Sequence, residues 1–278
     1  MREDPVPSTS KALRIAIFVP AFNVARTLPD LLDRIPANIR DEVQEIFVID
    51  NNSPDNTYLI AVGYRNLRDN FKLSVFRNKD NYGYGGSQKI AYAYAIEQGY
   101  DVVVMLHGDA QYAPEHLPSI LQPFRERDDV DLVFGSRMSG NPLEGGMPLH
   151  KYFGNRVLTW FQNLVLRTQL SEFHSGYRAF NCHALRRVPF TLCSDNYHFD
   201  SEIMIQMVTA GMTIVEMPVP THYGVVKSGV NIWGYAFDIF RVTAKYYLHK
   251  RGLRYDPAFD ISQKPAFEGY GSRTVKVR

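Results

Sequence analysis

Asp109 and Gln111 directly follow a short apolar run, residues 102–106, within the stretch HGDAQ at positions 107–111. A carboxylate at the end of a buried strand needs a cation or strong hydrogen-bond donors to offset its lost hydration. One carboxylate oxygen and one amide oxygen suit a hard cation, Mg²⁺ or Mn²⁺, that takes its other ligands from water and phosphates. The pattern therefore predicts a divalent-metal site, although an Asp that only caps a turn would leave the same pattern.

Asp50 repeats this arrangement at the end of a second apolar run, residues 45–50. A buried carboxylate there could accept a hydrogen bond from a nucleotide base or a ribose hydroxyl. It could equally close an Asx turn, a role that Asn52 or Ser53 could also fill.

Other residues with a potential for anion binding also follow apolar runs. The glycine-rich stretch 83–86 precedes a predicted helix, whose start favours negative charge. Arg137 and Arg178 follow two further runs and could clamp a diphosphate.

The elements that position these residues alternate between strands and helices. Short runs rich in Val, Ile and Phe predict strands over residues 14–19, 45–50, 72–77, 101–106 and 131–136. Helical spacing falls between them, over residues 25–34, 55–67, 86–98 and 114–125. This alternation predicts a mostly parallel sheet, with the ligand site beyond the carboxyl ends of its strands.

The second half of the chain is less regular. It predicts helices over 151–166, 200–210 and 232–250 and a strand over 213–217. We therefore expect a polar leader (residues 1–12), one catalytic α/β domain (13–230), an amphipathic aromatic helix (231–252) and a loosely ordered tail (253–278).

Composition limits the classes of partner. The net charge of +2 is too even for nucleic acid to be the main partner. Two cysteines in 278 residues make no disulfide framework, which favours a reducing cytoplasmic location. No run approaches the roughly 18 apolar residues of a membrane span, so we expect peripheral membrane contact at most. The oligomeric state stays open.

Several motifs together resemble a known enzyme family. PAFN at 20–23, VIDNNSPDNT at 48–57 and the loop containing Asn81, Gly83 and Gly85 resemble family 2 glycosyltransferases. HGDAQYAPE at 107–115, SR at 136–137 and SGYRAF at 175–180 resemble, more narrowly, the dolichyl- and polyprenyl-phosphate sugar transferase branch. The resemblance extends over about residues 14–249.

The resemblance implies a GT-A fold, that is, a Rossmann-like domain with helices on both faces of the sheet, and a metal-dependent inverting transfer from a nucleoside-diphosphate sugar. Asp109 and Gln111 would hold Mg²⁺ or Mn²⁺ on the diphosphate, and Arg137 would reach the phosphates or the acceptor. The residues implied in nucleotide-sugar binding are Pro20, Phe22, Val48, Asp50, His107, Gly108, Arg137, Arg178 and Lys227.

Two positions depart from the branch. Val24 stands where the branch usually has Glu, and His107 stands where it usually has an acid. An imidazole can still hydrogen-bond a ribose hydroxyl or serve as a metal ligand.

The acceptor is less sharply defined. The resemblance places Asp200 and Glu202, beside Asp109 and Arg137, among the candidate catalytic residues, because either carboxylate could be a general base. They could equally open the 200–210 helix favourably against its dipole. The aromatic and basic residues of 151–167 and 232–250 suit an anionic membrane surface or ordinary core packing.

A polyprenyl-phosphate-type lipid acceptor is the leading interpretation, since an ionised phosphate needs no general base. The alternatives are a hydroxyl acceptor on a saccharide or glycolipid, and a non-catalytic nucleotide-sugar-binding module.

Overall fold

The structure, a computed structural model, describes residues 12–68, 71–220, 232–267 and 269–276. The described residues form one eight-stranded sheet in the order β7-β5-β6-β4-β1-β2-β3-β8. Its strands are Ile15–Ala21 (β1), Glu45–Asp50 (β2), Leu73–Asn78 (β3), Val102–Met105 (β4), Leu132–Ser136 (β5), Arg178–Asn181 (β6), Ile214–Pro218 (β7) and Thr274–Lys276 (β8). The β6 and β8 strands run antiparallel to their neighbours, and the other pairings are parallel. The predicted α/β class and mostly parallel sheet are confirmed.

Helices cover both faces of the sheet. They are Leu28–Asp33 (α1), Ala37–Glu42 (α2), Thr57–Leu67 (α3), Gly83–Glu97 (α4), Leu117–Glu126 (α5), Leu149–Leu166 (α6), Cys182–Leu185 (α7), Phe199–Thr209 (α8) and Ile232–Lys250 (α9). Successive side chains of a strand point to opposite faces. Ile15, Ile17 and Val19 of β1 accordingly pack in the cluster with α1, α2, α3 and α5, while Ala16 and Phe18 pack in the cluster with α4 and α8.

The tail is more ordered than its sequence suggests, and the expectation of a loosely ordered segment over 253–278 is wrong for its described part. β8 pairs with β3, with Lys276 opposite Phe76. Phe259 and Tyr270 are buried in the main core, and the Gln206 side chain donates a hydrogen bond to the Ala258 carbonyl at 2.6 Å. The buried residues that attach this segment to the core are single and widely spaced in the sequence. Its apolar residues therefore show no helical or strand periodicity.

Strand β1 pairs with β2 on one side and with β4 on the other. The order of the strands along the chain therefore changes direction across the sheet at β1. In open α/β sheets the crevice at such a switch point is the place where ligands bind. A ligand site is therefore expected at the loops that follow β1 and β4.

Candidate active site

The loops after β1 and β4 meet at the switch point. The Gly108 amide donates to the Pro20 carbonyl at 3.2 Å, and the Thr27 hydroxyl donates to the Gly108 carbonyl at 2.8 Å. A Cβ on Gly108 would lie 2.9 Å from the Pro20 oxygen and 3.1 Å from Val24. Gly108 therefore lets the two loops approach each other, and Val24 fills the space beneath them.

Asp109 and Gln111 lie where these two loops meet, and both are half-buried. We call this meeting point of the β1 and β4 loops the corner. Asp109 Oδ1 accepts the Gln111 backbone amide at 3.1 Å, and Ala110 adopts a left-handed conformation with φ of +58°. Asp109 thus closes an Asx turn, and nothing in the described residues donates a hydrogen bond to its second oxygen.

The fit of this corner to a metal ion depends on how many ligands the protein supplies. No cluster of three or more His, Cys, Asp or Glu side chains occurs within the ranges that the structure describes. One carboxylate and one amide oxygen fit a cation that takes its other ligands from a diphosphate and water. Asp109 and Gln111 are compatible with that kind of site.

His107 lies between two aromatic side chains. Its Nε2 is 3.3 Å from the Tyr84 hydroxyl oxygen, and its ring meets Tyr112 edge-on at 5.3 Å. A Cβ on Gly176 would lie 2.3 Å from the same Nε2, so only glycine lets this loop pass over the imidazole. His107 therefore joins the β4 loop to α4 and to the loop before β6.

Only some of the residues expected to line a base and ribose pocket are exposed. Phe22 is 43% exposed and Pro20 is half-buried, so both can line an open surface. Val48 packs in the core and has no exposed surface, which corrects the expectation that it lines the pocket.

Asp50 is fully buried, as expected of a strand-end acceptor, and its hydrogen-bond partners here belong to the protein itself. Its carboxylate accepts the Ser53 amide at 3.2 Å and lies 3.4 Å from Arg77 Nε. Burial raises the pKa of Asp50 above its ordinary value, against the lowering by these two partners. The Asx-turn alternative describes Asp50 in this structure, because its carboxylate accepts the Ser53 amide and so stabilises the loop after β2.

Arg137 is held by an acid that sequence reasoning missed. Its guanidinium pairs with the Glu172 carboxylate at 3.1 Å, and Glu172 has no exposed surface. Asn155 of α6 donates to the same carboxylate at 3.0 Å. The only sequence signal was an acid between Leu170 and Phe173 in a segment without periodicity.

Arg178 does not reach the open site. Its side chain is fully buried and donates to the backbone carbonyls of Ser175, Asp200 and Phe173 at 2.7–2.8 Å. It also lies 3.7 Å from the Asp200 carboxylate. The expected diphosphate clamp is therefore wrong for Arg178, because its side chain has no exposed surface and each of its three guanidinium nitrogens donates to an internal carbonyl.

Asp200 is a nearly buried acceptor at the start of α8. The Tyr84 hydroxyl donates to its Oδ2 at 2.8 Å, and the Gln88 side chain donates to its Oδ1 at 3.2 Å. Together with Arg178, these partners surround the carboxylate and leave it 5% exposed. Sequence reasoning missed Tyr84 and Gln88, which α4 brings to Asp200 from 112 or more positions away.

Glu202 lies two residues further along the same helix, so its side chain leaves the helix on nearly the opposite side from Asp200. Its carboxylate accepts the Ser194 amide, and burial raises its pKa to about 7, although the Ser194 hydrogen bond and nearby lysines lower it. The buried Lys89 ammonium donates to the Cys193 carbonyl and to the Asp195 carboxylate. Both charged groups fix the loop 193–195.

That loop explains the glycines before α4. The Gly85 amide donates to the Asp195 carbonyl at 2.8 Å, and a Cβ on Gly83 or Gly85 would lie about 2.5 Å from backbone oxygens of the loop. The glycine-rich stretch therefore accommodates another part of the chain, which corrects the expectation of an anion at this helix start.

Comparison with known proteins settles the family. The model of glycosyl transferase family 2 matches residues 16–189, more than half of the chain. The chain belongs to this family.

Curated relatives of the glycosyltransferase support the narrower branch. It is 28% identical over 214 residues to the undecaprenyl-phosphate mannosyltransferase of Micrococcus luteus, which covers 74% of this chain and 83% of the relative. It is 29% identical over 220 residues to the UDP-N-acetylglucosamine–dolichyl-phosphate N-acetylglucosaminyltransferase of Methanococcus voltae, covering 75% and 86%. The resemblance to lipid-phosphate sugar transferases is confirmed.

Solved structures confirm the GT-A fold. Mannosyl-3-phosphoglycerate synthase from Rubrobacter xylanophilus superposes with a TM-score of 0.66 at 19% identity, over 88% of this chain and 76% of that one. Glucosyl-3-phosphoglycerate synthase from Mycobacterium tuberculosis, solved with UDP, gives 0.63 at 17% identity, over 87% and 81%.

Within the glycosyltransferase, the two departures from the branch have structural counterparts. Val24 packs against Gly108, where a charged side chain would be buried. His107 takes a phenol, Tyr84, as its neighbour. Lys227, which the resemblance associates with positive charge near the donor, lies outside the described residues.

Proposed function

We propose that this glycosyltransferase transfers a sugar, with inversion at the anomeric carbon, from a nucleoside-diphosphate sugar to a polyprenyl-phosphate-type lipid. An oxygen of the acceptor phosphate forms a bond to the anomeric carbon as the bond from that carbon to the diphosphate breaks. The acceptor oxygen is already ionised, so no proton has to be removed from it.

The donor half of the proposal rests on Asp109 and Gln111 at the switch point. Their oxygens would hold Mg²⁺ or Mn²⁺ against the donor diphosphate. When bound, the cation would supply positive charge that stabilises the departing nucleoside diphosphate. Related solved structures support this assignment, since one glucosyl-3-phosphoglycerate synthase from Mycobacterium tuberculosis was crystallised with Mn²⁺ and UDP.

The observation that carries the acceptor half is the burial of both candidate bases. Asp200 and Glu202 are 5% and 6% exposed, and each carboxylate accepts hydrogen bonds from the protein itself. A general base must come within about 3 Å of the proton that it removes. A phosphate acceptor needs no such group, and the named lipid-phosphate transferases among the relatives point to the same chemistry.

One observation favours a hydroxyl acceptor instead. The pKa of Glu202 is raised to about 7, close to the value at which a carboxylate best accepts a proton near neutral pH. The hydroxyl-acceptor function therefore stays as the second candidate, with Glu202 as its base.

A matched pair of acceptors separates the two candidates. The purified chain would first be screened by thermal shift against UDP-, GDP- and dTDP-sugars with Mn²⁺, because a ligand that binds only the folded state raises its apparent stability. The best donor would then be offered to a short-chain polyprenyl phosphate and to the corresponding polyprenol. We expect product only from the phosphate.

The second candidate predicts the opposite pattern. Transfer to the polyprenol or to a saccharide, lost in a Glu202→Gln variant that remains folded, would establish the hydroxyl acceptor and overturn the phosphate proposal.

A further inference from the structure

The α6 helix exposes a regular apolar row. Leu149, Phe153, Val157, Trp160 and Leu164 recur every three or four residues, so they share one face of the helix. Each of these side chains is 56–65% exposed. The opposite face buries Leu158, Thr159, Gln162 and Leu166, so the core contacts of α6 are already made without this row.

The α9 helix is apolar on two sides. Its inner side buries Ile239, Val242, Thr243 and Tyr246. Its outer side presents Trp233, Phe237, Phe240 and Tyr247, again at helical spacing, with exposures from 41% to 86%. The aromatic content of this helix therefore exceeds what core packing requires.

The two exposed rows belong to neighbouring helices. The rings of Phe161 on α6 and Phe240 on α9 pack 4.8 Å apart, centroid to centroid. We call the exposed residues of the two rows the docking face; they are Leu149, Phe153, Val157, Trp160, Leu164, Trp233, Phe237, Phe240 and Tyr247. Contiguous apolar surface of this kind marks an interaction site.

The charge around the docking face is mostly positive. The α6 helix contains no acidic residue, and α9 contains one, Asp238, which lies 3.5 Å from His198. Exposed basic residues lie on the two helices or directly after their last residues; they are Arg156, Arg167, Arg241, Lys250 and Arg251. Tryptophan and other aromatics beside Lys and Arg suit the headgroup region of an anionic membrane.

Both helices are also tied to the candidate active site. Asn155 of α6 holds Glu172, the partner of Arg137, and the Tyr235 hydroxyl of α9 lies 3.1 Å from His174 Nδ1. Glu172 and His174 belong to one loop, which leads to Gly176 over His107. The docking face and the candidate active site therefore lie on opposite sides of the same two helices, which connect them.

We propose that the docking face binds an anionic lipid membrane, with α6 and α9 lying in the plane of its surface. No helix in the ranges that the structure describes is long and apolar enough to cross a bilayer. The proposal deepens the proposed function, because a lipid-phosphate acceptor resides in a membrane, but the exposed rows and their charge support it independently.

The chain carries its own probe for this contact. Trp160 and Trp233 are its only two tryptophans, and they are 65% and 86% exposed in the docking face. Insertion into lipid would shift their fluorescence to shorter wavelength, and brominated acyl chains would quench it. We expect both effects with phosphatidylglycerol-containing vesicles, weaker binding in high salt, and little change with phosphatidylcholine alone.

Matched variants locate the contact. Phe153→Ala with Phe237→Ala removes two rings from the docking face and leaves both tryptophans as reporters. We expect vesicle binding to fall by about tenfold or more, since binding strength scales with buried apolar area. The control, Leu59→Ala with Leu67→Ala on α3, removes side chains that are 63% and 84% exposed elsewhere, and should bind like the parent.

Transfer to a short-chain, water-soluble acceptor phosphate without vesicles separates this proposal from the proposed function. The docking-face variant should retain that transfer while losing vesicle binding. Tryptophan emission that does not respond to anionic vesicles would overturn the membrane assignment. A dimer of the parent protein in light scattering that becomes a monomer in the docking-face variant would also overturn it, because a second copy of the chain would then occupy the docking face.

Discussion

The Tyr84 hydroxyl donates a hydrogen bond to the Asp200 carboxylate over 2.8 Å, and the same oxygen lies 3.3 Å from His107 Nε2. Tyr84 belongs to α4, Asp200 to α8, and His107 to the loop after β4, so one phenol joins three elements around the site. Because Arg178 and Gln88 contact the same carboxylate, Asp200 acts as a shared acceptor in the protein interior.

The Asp200→Asn variant tests this role. It removes the negative charge that lies 3.7 Å from the buried Arg178 guanidinium, so we expect the free energy of unfolding to fall by about 1–3 kcal/mol. Transfer to a short-chain polyprenyl phosphate should persist at a substantial fraction of the parent rate. Urea unfolding and a transfer assay measure the two effects. Full stability with complete loss of transfer would instead identify Asp200 as a catalytic base.

Arg178→Met should be more damaging. The variant keeps roughly the volume of the side chain but leaves three carbonyls without their donor and the buried Asp200 carboxylate without its nearby positive charge. We therefore expect a loss of about 3–5 kcal/mol in unfolding free energy. An Arg127→Met control, which breaks an exposed pair with Asp129, should leave the unfolding free energy nearly unchanged. A stable Arg178→Met protein with weakened donor affinity would restore the diphosphate role.

Glu202 makes stability depend on pH in a definite direction. Its pKa is about 7 in the folded protein, raised from 4.5, so between these values the folded state holds a proton that the unfolded state has released. Stability from this group is therefore fully present below pH 4.5 and is lost as the pH rises through 7, by about 3 kcal/mol at most.

Glu202→Gln should flatten that dependence. A glutamine keeps an oxygen acceptor for the Ser194 amide but cannot ionise. Urea unfolding at pH 5 and pH 8 should therefore show a smaller difference for the variant than for the parent. An equal change in unfolding free energy between pH 5 and pH 8 in the two proteins would mean that Glu202 is already ionised at pH 5.

The sequence predicted the regular elements of this fold well. Strand β2 and helix α9 have the predicted bounds, because the sequence pattern of each continues without interruption from its first residue to its last. Strand β6 was missed because its four residues, Arg178–Asn181, contain a buried cation and show no apolar run. The tail was misjudged because its anchors are single residues.

Site residues were harder to predict, for a different physical reason. The position of a motif in the sequence can place Asp50 or Arg178 near the end of a strand. It does not predict the direction of the side chain or the residues that contact it. The partners that decide this for Asp200 and Arg137 are Tyr84 and Glu172, and they lie far away in sequence. Contacts between distant loops leave no local pattern.

Asp109→Asn tests the metal corner. Asparagine keeps an Oδ1 acceptor for the Gln111 amide, so the turn and the fold should survive, while the charge that would hold Mg²⁺ or Mn²⁺ is lost. We expect metal-dependent transfer to fall by about 100-fold or more, and the metal-dependent part of thermal protection by a nucleoside diphosphate to disappear. Asp55→Asn is the matched control, because Asp55 closes a similar turn with Thr57 after β2 and should tolerate the change. Near-parental transfer with unchanged metal dependence in Asp109→Asn would refute the assignment.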